Sequence, residues 1–228
     1  MRRFAASTFL ASFVVAVWAV LFPTPYALCM SLLAAFPVVA VSMVGFSGGQ
    51  LKFVNQAGEI STYAFMVIVL TSVVLVYRSF DIHTLSWTGS ALAAVVLDAV
   101  LIGAVAFIDR PNLHARLLVT LAAIGLLWGL GCANFANALL DIGPKQIFRP
   151  TIEPYSVSLG RNTGRTGGGG YSRHLIVGAW GPITGTQDAV VGEVLYQRAM
   201  TGQPVCVSLG RGFFGAPWYS FEACPPSP

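Results

Sequence analysis

The stretch WTGSALAAVVLDAVLIGAVAFI, residues 87–108, decides the fold. It holds a single charged residue, Asp98, in an otherwise apolar run. Its length matches the roughly 20 residues that cross a hydrocarbon layer about 30 Å thick. Four more apolar runs flank it, at 4–22, 26–46, 62–78 and 113–140. The chain of 228 residues is 55% hydrophobic and 10% charged, against about 25% charged in soluble domains. The expected fold is a membrane α-helical bundle of about five transmembrane helices over residues 1–144, followed by a small all-β, partial-barrel-like domain over 145–228. Backbone in lipid must satisfy its own hydrogen bonds, which leaves helices for runs of this kind.

Proline and glycine punctuate the runs. Pro23-Thr-Pro25 stops the first, because proline lacks an N–H and clashes with the preceding turn. Pro37 should kink the second, a polar connector with Lys52 and Glu59 fills 47–61, and Asp141-Ile-Gly-Pro144 ends the last. Arg2 and Arg3 before an apolar run suit a signal peptide, but no small-x-small cleavage site follows. Leu28 before Cys29 argues against lipoprotein cleavage, so a retained helix is expected. With the N-terminus in the cytoplasm, five spans put Arg2, Arg3, Lys52, Arg110 and Arg116 inside and leave Arg78 in the outer loops, as the positive-inside rule favours. Four spans, with the first two runs as a re-entrant hairpin, is the rival and reverses one end.

Within the bundle, Asp98 sits near the middle of the fourth run, where an acid costs several kcal/mol unless paired or solvated. It is either a proton or cation relay or one end of an interhelical hydrogen bond to Asn134, Asn137 or a hydroxyl such as Thr71. Gly125-Leu-Leu-Trp-Gly129 is a small-xxx-small motif, extended by Gly131 and Ala133, and predicts close packing within the bundle. His83 and His114 fall in connectors on opposite sides of the membrane and share no metal.

After residue 144 the apolar period changes from helical to alternating. Strands are expected around Tyr155-x-Val157-x-Leu159, His174–Trp180, Val205–Leu209 and Trp218–Phe221, with Val190–Tyr196 either a strand or a short helix. So small a domain has a limited core and often needs a staple. Cys206 and Cys224 are expected to pair outside the cytoplasm, while Cys29 and Cys132 behave as small hydrophobes. The run Gly160–Gly170 lacks the lysine and following helix of a phosphate loop, so a hairpin loop is expected there. The C-terminal segment carries most of the net charge of +4 as scattered arginines (Arg161, Arg165, Arg173, Arg198, Arg211), which suit either a solvated surface, the favoured reading, or anionic headgroups at a membrane surface. Nothing in the pattern points to nucleic acid, a metal site, a cofactor or a catalytic constellation. A Cys206–His174 nucleophile pair is conceivable, but a cystine would remove its thiol. Phe213-Phe214 and Trp218-Tyr219 are either a contact surface or the filling of a small core.

Several short motifs resemble a family of uncharacterised small bacterial inner-membrane proteins with several helices and a C-terminal β domain. They are Asn137-x-x-x-Asp141, Trp180-Gly181, Val194-Leu-Tyr196, Gly202-x-x-Val205-Cys206-Val207, Gly215-x-Pro217-Trp218-Tyr219 and Tyr77-Arg78-Ser-Phe-Asp81. The resemblance implies a bacterial origin and supports this layout, and brings no activity or catalytic residues; it is the five-span orientation that places the C-terminal domain outside, in the periplasm. Expected partners are the lipid bilayer and an envelope protein or membrane-complex subunit that meets a non-enzymatic scaffold. The alternatives are a transporter or channel-like component using Asp98, and a lipid-surface enzyme using His174 or Cys206.

Overall fold

The computed structural model describes residues 2–21, 24–47, 50, 51, 53, 62–108, 115–158 and 171–224. The expectations for Gly160–Gly170, Lys52, Glu59, Arg110 and His114 lie outside the described residues. The chain divides into two compact units, Met1–Ile142 with Gly212–Ala216, and Gly143–Arg211 with Pro217–Pro228.

Among the described residues the first unit holds five helices, α1 (Arg2–Leu21), α2 (Tyr26–Phe46), α3 (Thr62–Ser79), α4 (Thr88–Ile108) and α5 (Ala115–Leu139), with a two-residue strand β1 (His83–Thr84) between α3 and α4. Three are long and apolar enough to cross a membrane, over Tyr26–Phe46, Thr88–Ile108 and Leu118–Leu139, which marks a membrane protein. Ala5–Leu21 and Tyr63–Ser79 are apolar but shorter, so the expected five runs yield three helices of full span length among the described residues. Pro37 lies inside α2 and is buried.

Helix α3 packs against α1, α2 and α5, and α5 packs against α4. Met30, Leu33, Ile68, Leu75, Val105 and Trp128 fill the space between them. The Trp128 indole donates to the Ala34 carbonyl at 3.1 Å, tying α5 to α2. The Gly125-x-x-x-Gly129 motif faces α4. A Cβ on Gly129 would stand 2.5 Å from the Ala94 carbonyl oxygen, so only glycine lets the two backbones approach this closely. The outer face of α4 is exposed at Leu92, Val95, Val96, Val100 and Phe107, as is that of α1 at Leu10, Phe13 and Val14. Leaving such a side chain in water forgoes about 1.5–3 kcal/mol relative to burial. Against lipid tails nothing is forgone.

The C-terminal unit is built from β2 (Gln146–Phe148), β3 (Ile152–Ser158), β4 (Tyr171–Val177), β5 (Gln187–Val190), α6 (Glu193–Met200), β6 (Val205–Gly210) and β7 (Trp218–Ala223). Strands β3, β4 and β5 form one antiparallel sheet, with Leu175 opposite both Pro154 and Ala189. Strands β7, β6 and β2 lie side by side in that order in another, with Leu209 opposite both Tyr219 and Gln146. These sheets do not close into a barrel, which corrects the partial-barrel expectation. Helix α6 packs against strands of both sheets. After Val190 the chain turns into a helix, with Glu193 in its first turn and Arg198 in its last, each matching the helix dipole. Residues 190–196 therefore supply a strand end and a helix start, where one or the other was expected, and the unit is not wholly β. Strand β2, three residues with two exposed, carried no readable alternation.

Alternation along β4 sets the core: Leu175 and Val177 point inward and are buried, while Ile176 between them is exposed. Ala189, Tyr196, Val205, Val207 and Tyr219 join them. Trp180 packs against Tyr219 at 5.0 Å and Phe148 at 5.6 Å between ring centroids. Cys206 and Cys224 form a disulfide across a sequence separation of 18. Closing a loop of that size restricts the unfolded chain by about 3 kcal/mol.

Candidate functional site

The most built polar arrangement in the helical unit lies at the end of α5. Asn137 is fully buried, and Asp141 follows it by four residues, about one helical turn. Together they grip the loop Gly212–Ala216, which joins β6 to β7 yet belongs to the helical unit. The Asn137 amide donates to the Ala216 carbonyl at 2.7 Å and its Oδ1 accepts from the Phe214 N–H at 2.9 Å. The Phe213 N–H donates to the Asn137 backbone carbonyl at 2.9 Å. The Gly212 N–H donates to Asp141 Oδ2 at 2.9 Å. A buried amide satisfied at both ends fixes a loop, because either end left unpaired costs its desolvation. Gly212 has φ +77°, and a Cβ there would meet the Ala216 carbonyl at 2.2 Å and the Asn137 amide at 2.5 Å. Glycine is required on both counts.

A second polar set closes the C-terminal end of α3. The Asn134 amide donates to the Ser79 carbonyl at 2.8 Å and the Tyr26 hydroxyl to the Arg78 carbonyl at 2.7 Å. They add a second donor to carbonyls at the helix end, which also accept from the Asp81 and Ile82 N–H groups at 3.1 Å. Arg78 pairs with Asp81 at 2.8 Å and lies 6.0 Å from the Tyr26 ring centroid. Partial burial pushes the Asp81 carboxyl above its usual range, against the pull of Arg78 and His83. Burial likewise lowers the His83 imidazole, against the pull of Asp81.

These bonds settle the partners expected for Asp98. Asn134 and Asn137 bond elsewhere, and the Thr71 hydroxyl donates to the Val67 carbonyl in its own helix at 2.6 Å. Asp98 Oδ1 is buried where Gly125 has no side chain, and it has no hydrogen-bond partner among the described residues. The expected interhelical bond from Asp98 to Asn134, Asn137 or Thr71 is therefore not formed.

On the outer face of the β3–β4–β5 sheet, the Tyr155 hydroxyl donates to Asp188 Oδ2 at 2.7 Å. His174 Nδ1 meets Asp188 Oδ1 at 2.7 Å, and the Tyr155 and His174 rings lie 5.4 Å apart. The bond from Tyr155, then that from His174, holds the Asp188 carboxyl below its usual range. The same bond to Asp188 raises the Tyr155 hydroxyl. Sequence reading missed this cluster, since cross-strand register alone brings its members together. The cystine leaves Cys206 no thiol for His174 to activate. Among the described residues no group of three or more His, Cys, Asp or Glu is placed to hold a metal ion.

The aromatic quartet divides. Phe213 is 59% exposed, with its ring edge-on to Phe214 at 5.1 Å. Trp218 is half-buried under the Lys145 ammonium, 4.7 Å from its ring centroid. Tyr219 is 6% exposed, sits in the core and accepts a hydrogen bond from the Gln187 amide. Only Phe213 fully keeps a surface position. No family model, curated protein or solved structure matches this chain.

Proposed function

We propose that the chain is a multi-pass membrane protein of scaffold or interaction type, without catalysis of its own. Five helices lie in a bacterial inner membrane, the N-terminus is cytoplasmic, and the C-terminal unit meets an envelope protein or complex subunit in the periplasm. The observation that carries this function is the C-terminal unit, a separate core with its own cystine and exposed apolar side chains at Ile176, Val190, Val194 and Met200. A cystine persists in an oxidising compartment, and exposed apolar side chains on a water-facing unit suit a partner. Thiol labelling with a membrane-impermeant maleimide in intact cells tests the placement. Label should reach Cys206 and Cys224 only after reduction; label reaching them only in opened cells overturns it. A photo-crosslinking residue at Val194 should give one discrete adduct in intact membranes. If general chemical crosslinking in intact membranes captures the same set with and without residues 150–228, the interaction role fails.

A second function, a proton- or cation-coupled transporter component, is favoured by the unpartnered Asp98 Oδ1. In reconstituted vesicles Asp98→Asn should then abolish proton-coupled flux, and unchanged flux would remove the idea.

A further inference from the structure

We propose that the loop Gly212–Ala216 is a lipid-contacting element whose Phe213 ring enters the interfacial layer of the bilayer, at the level where α4 and α5 leave the hydrocarbon. Two helix ends set that level independently. The Phe213 and Phe214 N–H groups bond to Asn137, two residues before the end of the span-length stretch Leu118–Leu139. At 1.5 Å per residue, that is about 3 Å from the helix end. The Phe214 carbonyl oxygen lies 2.1 Å from where a Cβ on Gly89 would stand, and Gly89 is the second residue of α4. A segment held against the last turn of one span and the first turn of another shares their depth.

The chemistry of the loop suits that depth. Its Gly212, Phe213, Phe214 and Gly215 N–H groups all have acceptors, and the Ala216 carbonyl has the Asn137 amide. Pairing these groups lowers the cost of bringing the loop backbone towards lipid. Near the same helix ends lie Phe80 and Trp87, with ring centroids 5.7 Å apart, and the exposed Leu139, Leu140 and Ile142. Tryptophan at a span end marks the interface between lipid and water, and bulky apolar side chains beside it find lipid there. Phe213 joins this set as an exposed ring on a loop fixed by hydrogen bonds to Asn137 and Asp141.

The inference rests on α4 and α5 being spans, as in the proposed function, but not on any protein partner. Nitroxide labels would be placed at Phe213→Cys, at Val96→Cys on the outer face of α4 and at Val190→Cys on the C-terminal unit. Cys29 and Cys132 would be replaced by Ala and the cystine kept. In vesicles of phosphatidylcholine and phosphatidylglycerol, collisions with oxygen report lipid, and collisions with a nickel chelate report water. The ratio of oxygen to nickel collisions at 213 should be several-fold above that at 190 and below that at 96. Adding Asn137→Ala should move it toward the value at 190. A ratio at 213 equal to that at 190, with 96 in lipid, overturns the loop proposal alone. Protection of 213 from both agents also overturns it, and assigns the ring to a covering protein. Water at 96 overturns the loop and the spans together.

Discussion

The helical unit and the C-terminal unit draw on the same apolar residue types and place them oppositely. On α4, Leu92, Val95, Val96 and Val100 face outward, while the inner stripe is Ser90, Ala94, Leu101 and Val105, with small Ala94 against Gly129. In the C-terminal unit Leu175, Val177, Val205 and Val207 face inward around Trp180 and Tyr219, and a cystine adds a covalent restraint. The difference is one of solvent. In lipid, helices gain little by hiding apolar surface, so they associate through close backbone approach and hydrogen bonds. In water, a unit of this size gains from every buried side chain and still benefits from a staple.

That contrast can be broken most strongly at the cystine. Replacing both Cys206 and Cys224 with Ala should destabilise the C-terminal unit by about 3 kcal/mol. Urea unfolding followed by aromatic fluorescence should show the loss, with far-ultraviolet helix signal unchanged. A matching fall in the helical signal would mean that the two units do not draw their stability from separate sources.

The converse experiment acts on the glycine seam. Gly129→Val would press a side chain onto the Ala94 carbonyl oxygen, 2.5 Å from the first added carbon. Overpacking of this kind costs about 1–3 kcal/mol. Thermal unfolding in detergent should show the loss in the helical unit, and tolerance of valine there would show that α4 and α5 pack less closely than backbone contact requires.

A smaller effect is expected at Asn137. Asn137→Ala strips the Phe214 N–H and the Ala216 carbonyl of partners and should cost about 1–2 kcal/mol. Hydrogen exchange should rise at Phe214, while Phe213, bonded to the backbone carbonyl of residue 137, should be less affected.

The smallest effect belongs to Asp188. Its carboxyl lies below its ordinary value of 3.8 because Tyr155 and His174 hydrogen-bond to it. A lowered folded value means that its stabilising share is present above 3.8 and fades as pH falls through that lower value. Chemical-shift titration should place the Asp188 midpoint below 3.8. Tyr155→Phe, which removes the first and largest cause, should raise the midpoint; an unmoved midpoint would dissociate the bond from the shift.

Much of the helical half was legible because its signals are local. The run 87–108 becomes α4 over Thr88–Ile108, since a continuous apolar stretch with one charge has few other solutions. Gly125 and Gly129 were legible as a packing motif, although their partners Ala94 and Asp98 were not, since facing another helix is a property of the whole bundle. The site was legible only in pieces. Asn137 and Asp141 stood out at a one-turn spacing, and Phe213 and Phe214 as adjacent aromatics. Nothing in sequence order showed that a loop more than seventy residues downstream would be hydrogen-bonded to that turn.

The sequence by itself determined that the chain carries helices suited to lipid, a C-terminal region with strand signals, and a cysteine pair able to join, because hydropathy, periodicity and composition act over a few residues. Tertiary structure alone decided that the strands form two separate sheets with α6 between β5 and β6, that Tyr219 goes to the core while Phe213 stays out, and that the amides of Asn134 and Asn137 bond to backbone carbonyls rather than to Asp98. Each of these depends on which distant groups compete for the same partner or the same buried space. That competition is resolved only when the whole chain packs.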